Sequence, residues 1–334
     1  MSEQPRTAVI TGGNAGVGRA TAKALAQVGY QVALLARGQQ GLNDTRAELE
    51  AFGARVLALS VDVSDAAAVE QAADQIEAEL GPIDLWVNAA MVTVFGTIAE
   101  LPAEEIRRVS EVTYLGSVHG TQAALRRMQP RNRGTIVQVG SALSYRAIPL
   151  QAPYCAAKFA IRGFTDALRC ELIHENSAIR ITMVQLPAHN TPQFDWVRNH
   201  MGKRPQPVPP IHTPDVAARA ILRAATEAPR ELWLGKASLQ AILGSMVMPG
   251  MLDRMMARQA WDGQLTDEDE DPAREDNLFS PVSEKGLHRT SGRFTRDVKD
   301  QAFEIGSETV RKLLLATIVV VAFASGTLVA TLAG

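Results

Sequence analysis

The chain of 334 residues holds two cysteines, Cys155 and Cys170, and aromatic side chains make up only 5% of it. Two cysteines cannot build a disulfide framework, and the histidines are scattered without ligand spacing. Reduced thiols in a cytosol-facing domain and no metal site are therefore expected. The formal net charge is −2, which leaves no electrostatic footprint for nucleic acid, and the arginines from Arg126 to Arg133 read as a solvated loop. No internal repeat is visible. No apolar run precedes Thr7, where the first strand begins, so no N-terminal leader is expected.

What is present is an alternation of apolar strands and amphipathic helices from Arg6 to about Thr226. Strands are expected near 6–11, 31–36, 55–60, 83–88, 134–140, 179–185 and 231–234, giving an α/β, doubly wound, Rossmann-like parallel sheet of about seven strands with helices on both faces. The first strand, Thr7-Ala-Val-Ile10, runs into Thr11-Gly-Gly-Asn-Ala-Gly-Val-Gly18 and then an Ala-rich helix. Gly12, Gly16 and Gly18 let the backbone turn tightly, so that a pyrophosphate can approach the free N–H groups and positive dipole end of that helix. This is the context in which a glycine-rich turn reads as a dinucleotide cradle.

A second constellation follows. Tyr154 and Lys158 are four residues apart, on one face of a helix, and Ser141 closes the apolar strand Gly134–Gly140. A phenol with an ordinary pKa of about 10 needs a nearby positive charge to serve as an acid and base near neutrality, which Lys158 can provide. The Ser141 hydroxyl can hold a substrate oxygen within reach of the phenol.

Thr-Gly-x-x-x-Gly-x-Gly followed by Tyr-x-x-x-Lys resembles the short-chain dehydrogenase/reductase family in its single-domain form, over roughly residues 5–235. The resemblance implies a hydride transfer between a nicotinamide dinucleotide and a carbonyl/alcohol pair, with Tyr154 as acid and base. Lys158 would tune the phenol and hold the nicotinamide ribose, and Ser141 would orient the carbonyl. It also implies cofactor contacts at Thr11, Gly12, Asn14, Gly16, Val17 and Gly18 in the turn. Further contacts are implied at Asp62 and Val63 near the adenine, at Asn88 after the fourth strand, and at Pro187 and Thr191 after the sixth. The chain departs from the family pattern in three places. Asn88-Ala-Ala-Met91 replaces Asn-Asn-Ala-Gly, Pro187-Ala188 replaces Pro-Gly, and Thr113 stands where a catalytic asparagine is usual, so a proton relay there would run through the Thr113 backbone.

Cofactor choice is read at the end of the second strand. Arg37 suits the 2′-phosphate of NADP, and no acidic residue between Val32 and Leu42 competes for the ribose of NAD. NADP(H) is expected, with NAD less favoured. Phe194, Trp196, Val197 and Met201, in the substrate-covering segment, are either pocket lining for an apolar carbonyl or alcohol or ordinary loop anchors.

Beyond residue 235 the pattern changes. Residues 236–262 are apolar and are expected to cap the domain or contact a second subunit, with a bilayer surface as a further option. Residues 263–300, opening with the acidic Thr266–Pro272 run, read as a solvated linker, with an acidic regulatory site as the alternative. Residues 301–334 read as a C-terminal helix. Leu313–Leu332 is twenty residues without a charge, about 30 Å as a helix and long enough to cross hydrocarbon. It is expected to be a membrane anchor, with a buried or oligomerising helix as the alternative. Arg311 and Lys312 before it favour a cytoplasmic catalytic domain. The competing functional readings are a membrane-tethered, non-catalytic NADP-binding sensor or scaffold, and an epimerase or dehydratase. Extended relatives with those last activities commonly carry Gly-x-x-Gly-x-x-Gly, a spacing absent here.

Overall fold

The computed structural model describes residues 5–283, 286–296 and 298–318. Apolar, β-branched runs form β1 (Thr7–Thr11), β2 (Gln31–Ala36), β3 (Val56–Ser60), β4 (Ile83–Asn88), β5 (Thr135–Ser141), β6 (Arg180–Leu186) and β7 (Glu231–Leu234). All seven pair in parallel, and β8 (Glu304–Gly306) adds antiparallel to β7. The order across the sheet is β8-β7-β6-β5-β4-β1-β2-β3. The chain therefore reverses its direction of travel between β1 and β4, and a crevice opens beyond their carboxyl ends.

Helices cover both faces, which is why the central strands are apolar throughout rather than alternating. On one face Ala8, Ile10 and Leu34 share a buried cluster with Leu25 of α1 (Gly16–Gln27) and Leu49 of α2 (Gln39–Glu50). On the other, Val9, Leu35 and Trp86 share one with Ile76 of α3 (Ala66–Leu80), Ala123 of α4 (Gly116–Met128) and Leu168 of α5 (Ala152–His174). Residues 8, 9 and 10 thus alternate between two cores, as successive strand side chains must. Ile221 of α6 (Pro214–Glu227) completes the first cluster. Local signals set the helix ends: Asp65 accepts the Ala68 N–H at 3.0 Å to start α3, Gly81 ends it, and Pro214 pre-sets φ at the start of α6.

Two expectations for the C-terminal third need correction. The 263–300 stretch is not a free tether. Leu265–Asp269 pairs antiparallel with Lys203–Pro205, where Lys203 meets Asp269 at 2.6 Å and Arg204 meets Glu268 at 2.7 Å. Such exposed ion pairs contribute little. The stretch is held instead by apolar and polar burial: Leu278 is fully buried, as is Gln264, whose amide bonds to Gln151, Pro149 and Ala260. The sheet also has one strand more than expected. Glu304-Ile-Gly306 is too short and too polar for its periodicity to register as a strand.

The apolar extension forms α7 (Lys236–Val247) and α8 (Pro249–Met255). Residues 307–318 are helical, and Val310 packs in a cluster with Ile242 and Trp233. Among the described residues no helix is long and apolar enough to cross a membrane. Most of the expected anchor, from residue 319 onward, lies outside them.

Candidate active site

A cleft of about 740 Å³ opens beyond the carboxyl ends of β1, β2, β4, β5 and β6. Its floor is the glycine turn. Gly16 adopts a left-handed φ of +53°, and a methyl group on Gly18 would stand 2.1 Å from the Gly12 carbonyl oxygen. Only glycine lets the two arms of the turn approach this closely. Gly12, Asn14, Gly16, Val17 and Gly18 line the cleft, and so do Arg37, Asp62, Val63, Pro187 and Thr191.

Three of the expected residues stand behind this wall. The Thr11 hydroxyl accepts the Ala89 and Ala90 N–H groups, each at 3.1 Å, and so pins the loop after β4. Asn88 is buried in a saturated network: its oxygen accepts from the Trp86 indole at 2.9 Å, and its amide donates to Thr121 at 3.0 Å and Gln138 at 3.1 Å. Its side chain is a core brace rather than a lining group. Thr113, in a π-helical turn at Ser110–Leu115, accepts the Val92 N–H at 3.1 Å and donates to the Val92 carbonyl at 2.9 Å. Its own carbonyl accepts the Ser117 hydroxyl at 3.0 Å. A single hydroxyl thus ties both backbone groups of Val92 to the helix.

Ser141, Tyr154 and Lys158 converge on the cleft. Ser141 is the last residue of β5, and its Oγ accepts the Leu143 N–H at 3.1 Å and donates to the Leu186 carbonyl at 3.5 Å. Burial raises the pKa of the Tyr154 phenol, with a further push from Cys155, and the hydrogen bond with Ser141 opposes them. Lys158 is buried, donates to the Val139 carbonyl at 2.7 Å, and lies 5.5 Å from the centre of the Tyr154 ring. Burial pulls its pKa down to about 8. The sequence-based expectation was a fixed ammonium that lowers the phenol's pKa. In the structure burial dominates both groups, in opposite directions.

Beyond the ends of β2 and β3, burial pushes the Asp62 carboxyl up, but Ser64 and Arg108 outweigh it and hold the group below the carboxylate range. Ser64 donates to it from its N–H at 3.0 Å and its hydroxyl at 2.8 Å. The Arg37 guanidinium donates to the carbonyls of Asn277, Leu278 and Phe279.

Phe194 and Trp196 line the cleft, Trp196 with its ring centre 5.5 Å from that of His288, whereas Val197 and Met201 pack behind in the Phe95 cluster. Several lining residues had no counterpart in the sequence reading. Leu252, Met255, Met256 and Ala260 come from the apolar extension, whose composition was the available signal. His189 also lines the cleft. Its Nδ1 faces the Pro187 carbonyl at 2.9 Å, and burial pulls its pKa down to about 4, leaving it neutral. Asn277, Pro281, Val282 and His288 come from the polar stretch, which offered no signal.

The short chain dehydrogenase family profile matches residues 6–201. The chain belongs to the short-chain dehydrogenase/reductase family. It is 29% identical over 301 residues to the Bacillus subtilis protein named "Uncharacterized oxidoreductase YxnA", covering 87% of this chain and 84% of that one. It is 34% identical over 191 residues to the Danio rerio 3-dehydrosphinganine reductase, 56% of this chain and little more than half, 57%, of the relative. Among solved members of the family, actinorhodin polyketide ketoreductase with NADPH superposes with a TM-score of 0.55 at 31% identity, over 57% of this chain and 74% of that one. An alcohol dehydrogenase from the archaeon Thermococcus sibiricus complexed with 5-hydroxy-NADP superposes with a TM-score of 0.56 at 28% identity, over 68% and 95%. This short-chain dehydrogenase/reductase is accordingly an oxidoreductase.

Proposed function

We propose that the protein interconverts a carbonyl and an alcohol on an apolar small molecule, using NADP(H), from a position anchored to a membrane by its C-terminal segment with the catalytic domain on the cytoplasmic side. The observation that carries the reading is the convergence of Ser141, Tyr154 and Lys158 on one cleft with the glycine turn. The donor set fits a dinucleotide: the turn closes so tightly at Gly18 that a backbone cradle, not side chains, faces the cleft, and Asn14, Val17, Asp62 and Pro187 stand along its length. When bound, the cofactor supplies or takes the hydride.

The chain's own residues handle the oxygen and its proton. Burial keeps the Tyr154 phenol protonated at neutral pH, which suits it to donate a proton to a carbonyl oxygen during reduction. Ser141, beside it, orients and polarises the same oxygen. Lys158, with a pKa near the working range, is suited to re-protonate the phenol. The reverse reaction uses Tyr154 as base and is favoured at higher pH. Phe194, Leu252, Met255 and Met256 in the cleft lining favour an apolar substrate, since burial of apolar area drives such binding.

The test follows NADPH oxidation by detergent-solubilised protein against apolar ketones and aldehydes. Activity is expected, and Tyr154→Phe should lower turnover at least ~10²-fold, the scale of lost acid–base catalysis, with NADPH binding retained. Binding of NADPH without turnover of any carbonyl would favour the sensor or scaffold reading.

A further inference from the structure

The polar C-terminal stretch does more than pack on the domain; it reaches the groups a dinucleotide would use. Three successive backbone carbonyls, those of Asn277, Leu278 and Phe279, accept from Arg37, and Arg108 donates to the Leu278 carbonyl at 3.1 Å. Arg108 also holds Ser64 at 2.8 Å and Asp62. Two guanidinium groups therefore converge on one cluster of oxygens, with the carboxylates of Asp62 and Asp276 acting on Arg37 from beside it. Leu278 is fully buried in the cluster that contains Val61 and Val63, which flank Asp62.

The same stretch closes on the glycine turn. The Gly16 N–H, at the first residue of α1, donates to the Arg289 carbonyl at 3.0 Å. The Asn14 amide lies 3.2 Å from the His288 ring, and Arg19 donates to the His288 carbonyl at 2.6 Å. Beyond the turn, Arg289 and Arg293 each reach Asp195 at 2.8 Å, so the stretch is fastened to the loop that carries Phe194 and Trp196.

We infer that Arg37 and Arg108 form a two-guanidinium site for the 2′-phosphate of NADP(H), and that residues 277–283 and 286–294 form a strap that occupies this site and the helix N-terminus and must leave for the dinucleotide to bind. The strap matches its rival chemically. It offers a row of carbonyl oxygens where three phosphate oxygens would accept from the guanidinium groups, an apolar side chain near the expected adenine contact, and a carbonyl at a helix N–H that favours anions. The strap already takes donors on both terminal nitrogens of Arg37, so strap and cofactor compete for them, and the strap sets the apparent affinity. The inference rests on the NADP reading above.

The test measures NADPH and NADH binding to the full-length protein in detergent by nicotinamide fluorescence, with backbone hydrogen exchange of the strap as a second readout. Gly41→Ala acts from outside the cleft: its methyl group would stand 2.7 Å from the His288 ring and wedge the strap away, while alanine is the better residue within a helix. Leu278→Ala loosens the strap from its own side. Both variants should tighten NADPH binding about tenfold and speed association, and NADPH should accelerate exchange in residues 277–283 and 286–294 of the wild type. Arg108→Ala removes a strap contact together with a phosphate donor, so it should lower the preference for NADPH over NADH about tenfold, as expected for one lost charge-assisted contact.

Weaker NADPH binding in both loosened variants, or slower strap exchange with NADPH, would make the strap a clamp on bound cofactor and overturn the competition. A wild type that prefers NADH overturns the NADP reading instead. In that case the loosened variants would still tighten NADH if strap and dinucleotide compete, so the two failures are distinguishable.

Discussion

Lys158 donates to the backbone carbonyl of Val139 across 2.7 Å, which ties the N-terminal third of α5 to the neighbouring strand β5. Among the described residues the buried ammonium has one carbonyl as its hydrogen-bonded partner and no carboxylate bonded to it, and burial has moved its pKa from 10.5 to about 8.

That shift gives a pH signature. Below pH 8 both folded and unfolded chains carry the Lys158 proton, and the folded state bears the full desolvation cost. Between about pH 8 and 10.5 the unfolded chain still binds the proton and the folded chain does not, so stability rises with pH. Relative to Lys158→Met, the wild type should gain up to about 3 kcal/mol of unfolding free energy between pH 7 and 10.5, from the 1.36 kcal/mol carried by each pKa unit. Urea unfolding of the two proteins at both pH values checks this. A constant difference would mean that the Val139 carbonyl fully offsets the burial.

Thr113 yields a prediction of a different kind. Its hydroxyl satisfies both the N–H and the carbonyl of Val92, all within the buried interior. Thr113→Val keeps the shape and orphans both groups, at about 1–3 kcal/mol for each buried polar group left unpaired. Thr113→Ser, which keeps the hydroxyl, should recover most of the loss. Turnover should fall far less in either variant than in Tyr154→Phe, because the hydroxyl is committed to the Val92 backbone. A Thr113→Val enzyme as slow as Tyr154→Phe but undiminished in stability would place the hydroxyl in the chemistry.

Gly18→Ala tests the cradle. Its methyl group would meet the Gly12 carbonyl at 2.1 Å, backbone against backbone, so the turn has to open. Overpacking of this kind typically costs about 1–3 kcal/mol. The displaced turn should also lose NADPH, seen as absent nicotinamide fluorescence enhancement in a chain that still melts cooperatively. Retained binding would remove this turn from the cofactor site.

The sheet was legible because its central strands are apolar on both faces and end at glycine or at chemistry-bearing residues. Ser141, Tyr154 and Lys158 were legible because side-chain spacing on a strand end and one helix face encodes their convergence. Asn88 was read as a cleft residue because its position after β4 is visible in sequence, whereas its partners Trp86, Thr121 and Gln138 come from three elements. The strap was not legible for a deeper reason. It presents the carbonyls of Asn277, Leu278, Phe279 and Arg289 to the site, and main-chain groups have no sequence signature. Acidic residues around it resemble a solvated linker because their partners, Lys203, Arg204 and Arg198, lie some sixty to eighty residues away.

The anchored reading has its own test. Val310 is buried with Ile242 and Trp233, whereas Leu313, Leu314, Leu315 and Ile318, further along the same helix, are exposed. Among the described residues Val310 is the last packed one and precedes the uncharged run, and a chain ending there keeps β8, the strap and every described cleft residue. Exposed side chains of this kind are unfavourable in water and favourable in hydrocarbon. Removing residues 311–334 should therefore move the protein from the membrane fraction to the soluble one while NADPH binding and reduction of a water-soluble carbonyl persist. The full-length chain should resist extraction by high salt and by alkaline carbonate. Release of the full-length protein by carbonate, or loss of cooperative unfolding on truncation, would instead make Leu313–Leu332 a packing or subunit-contact segment.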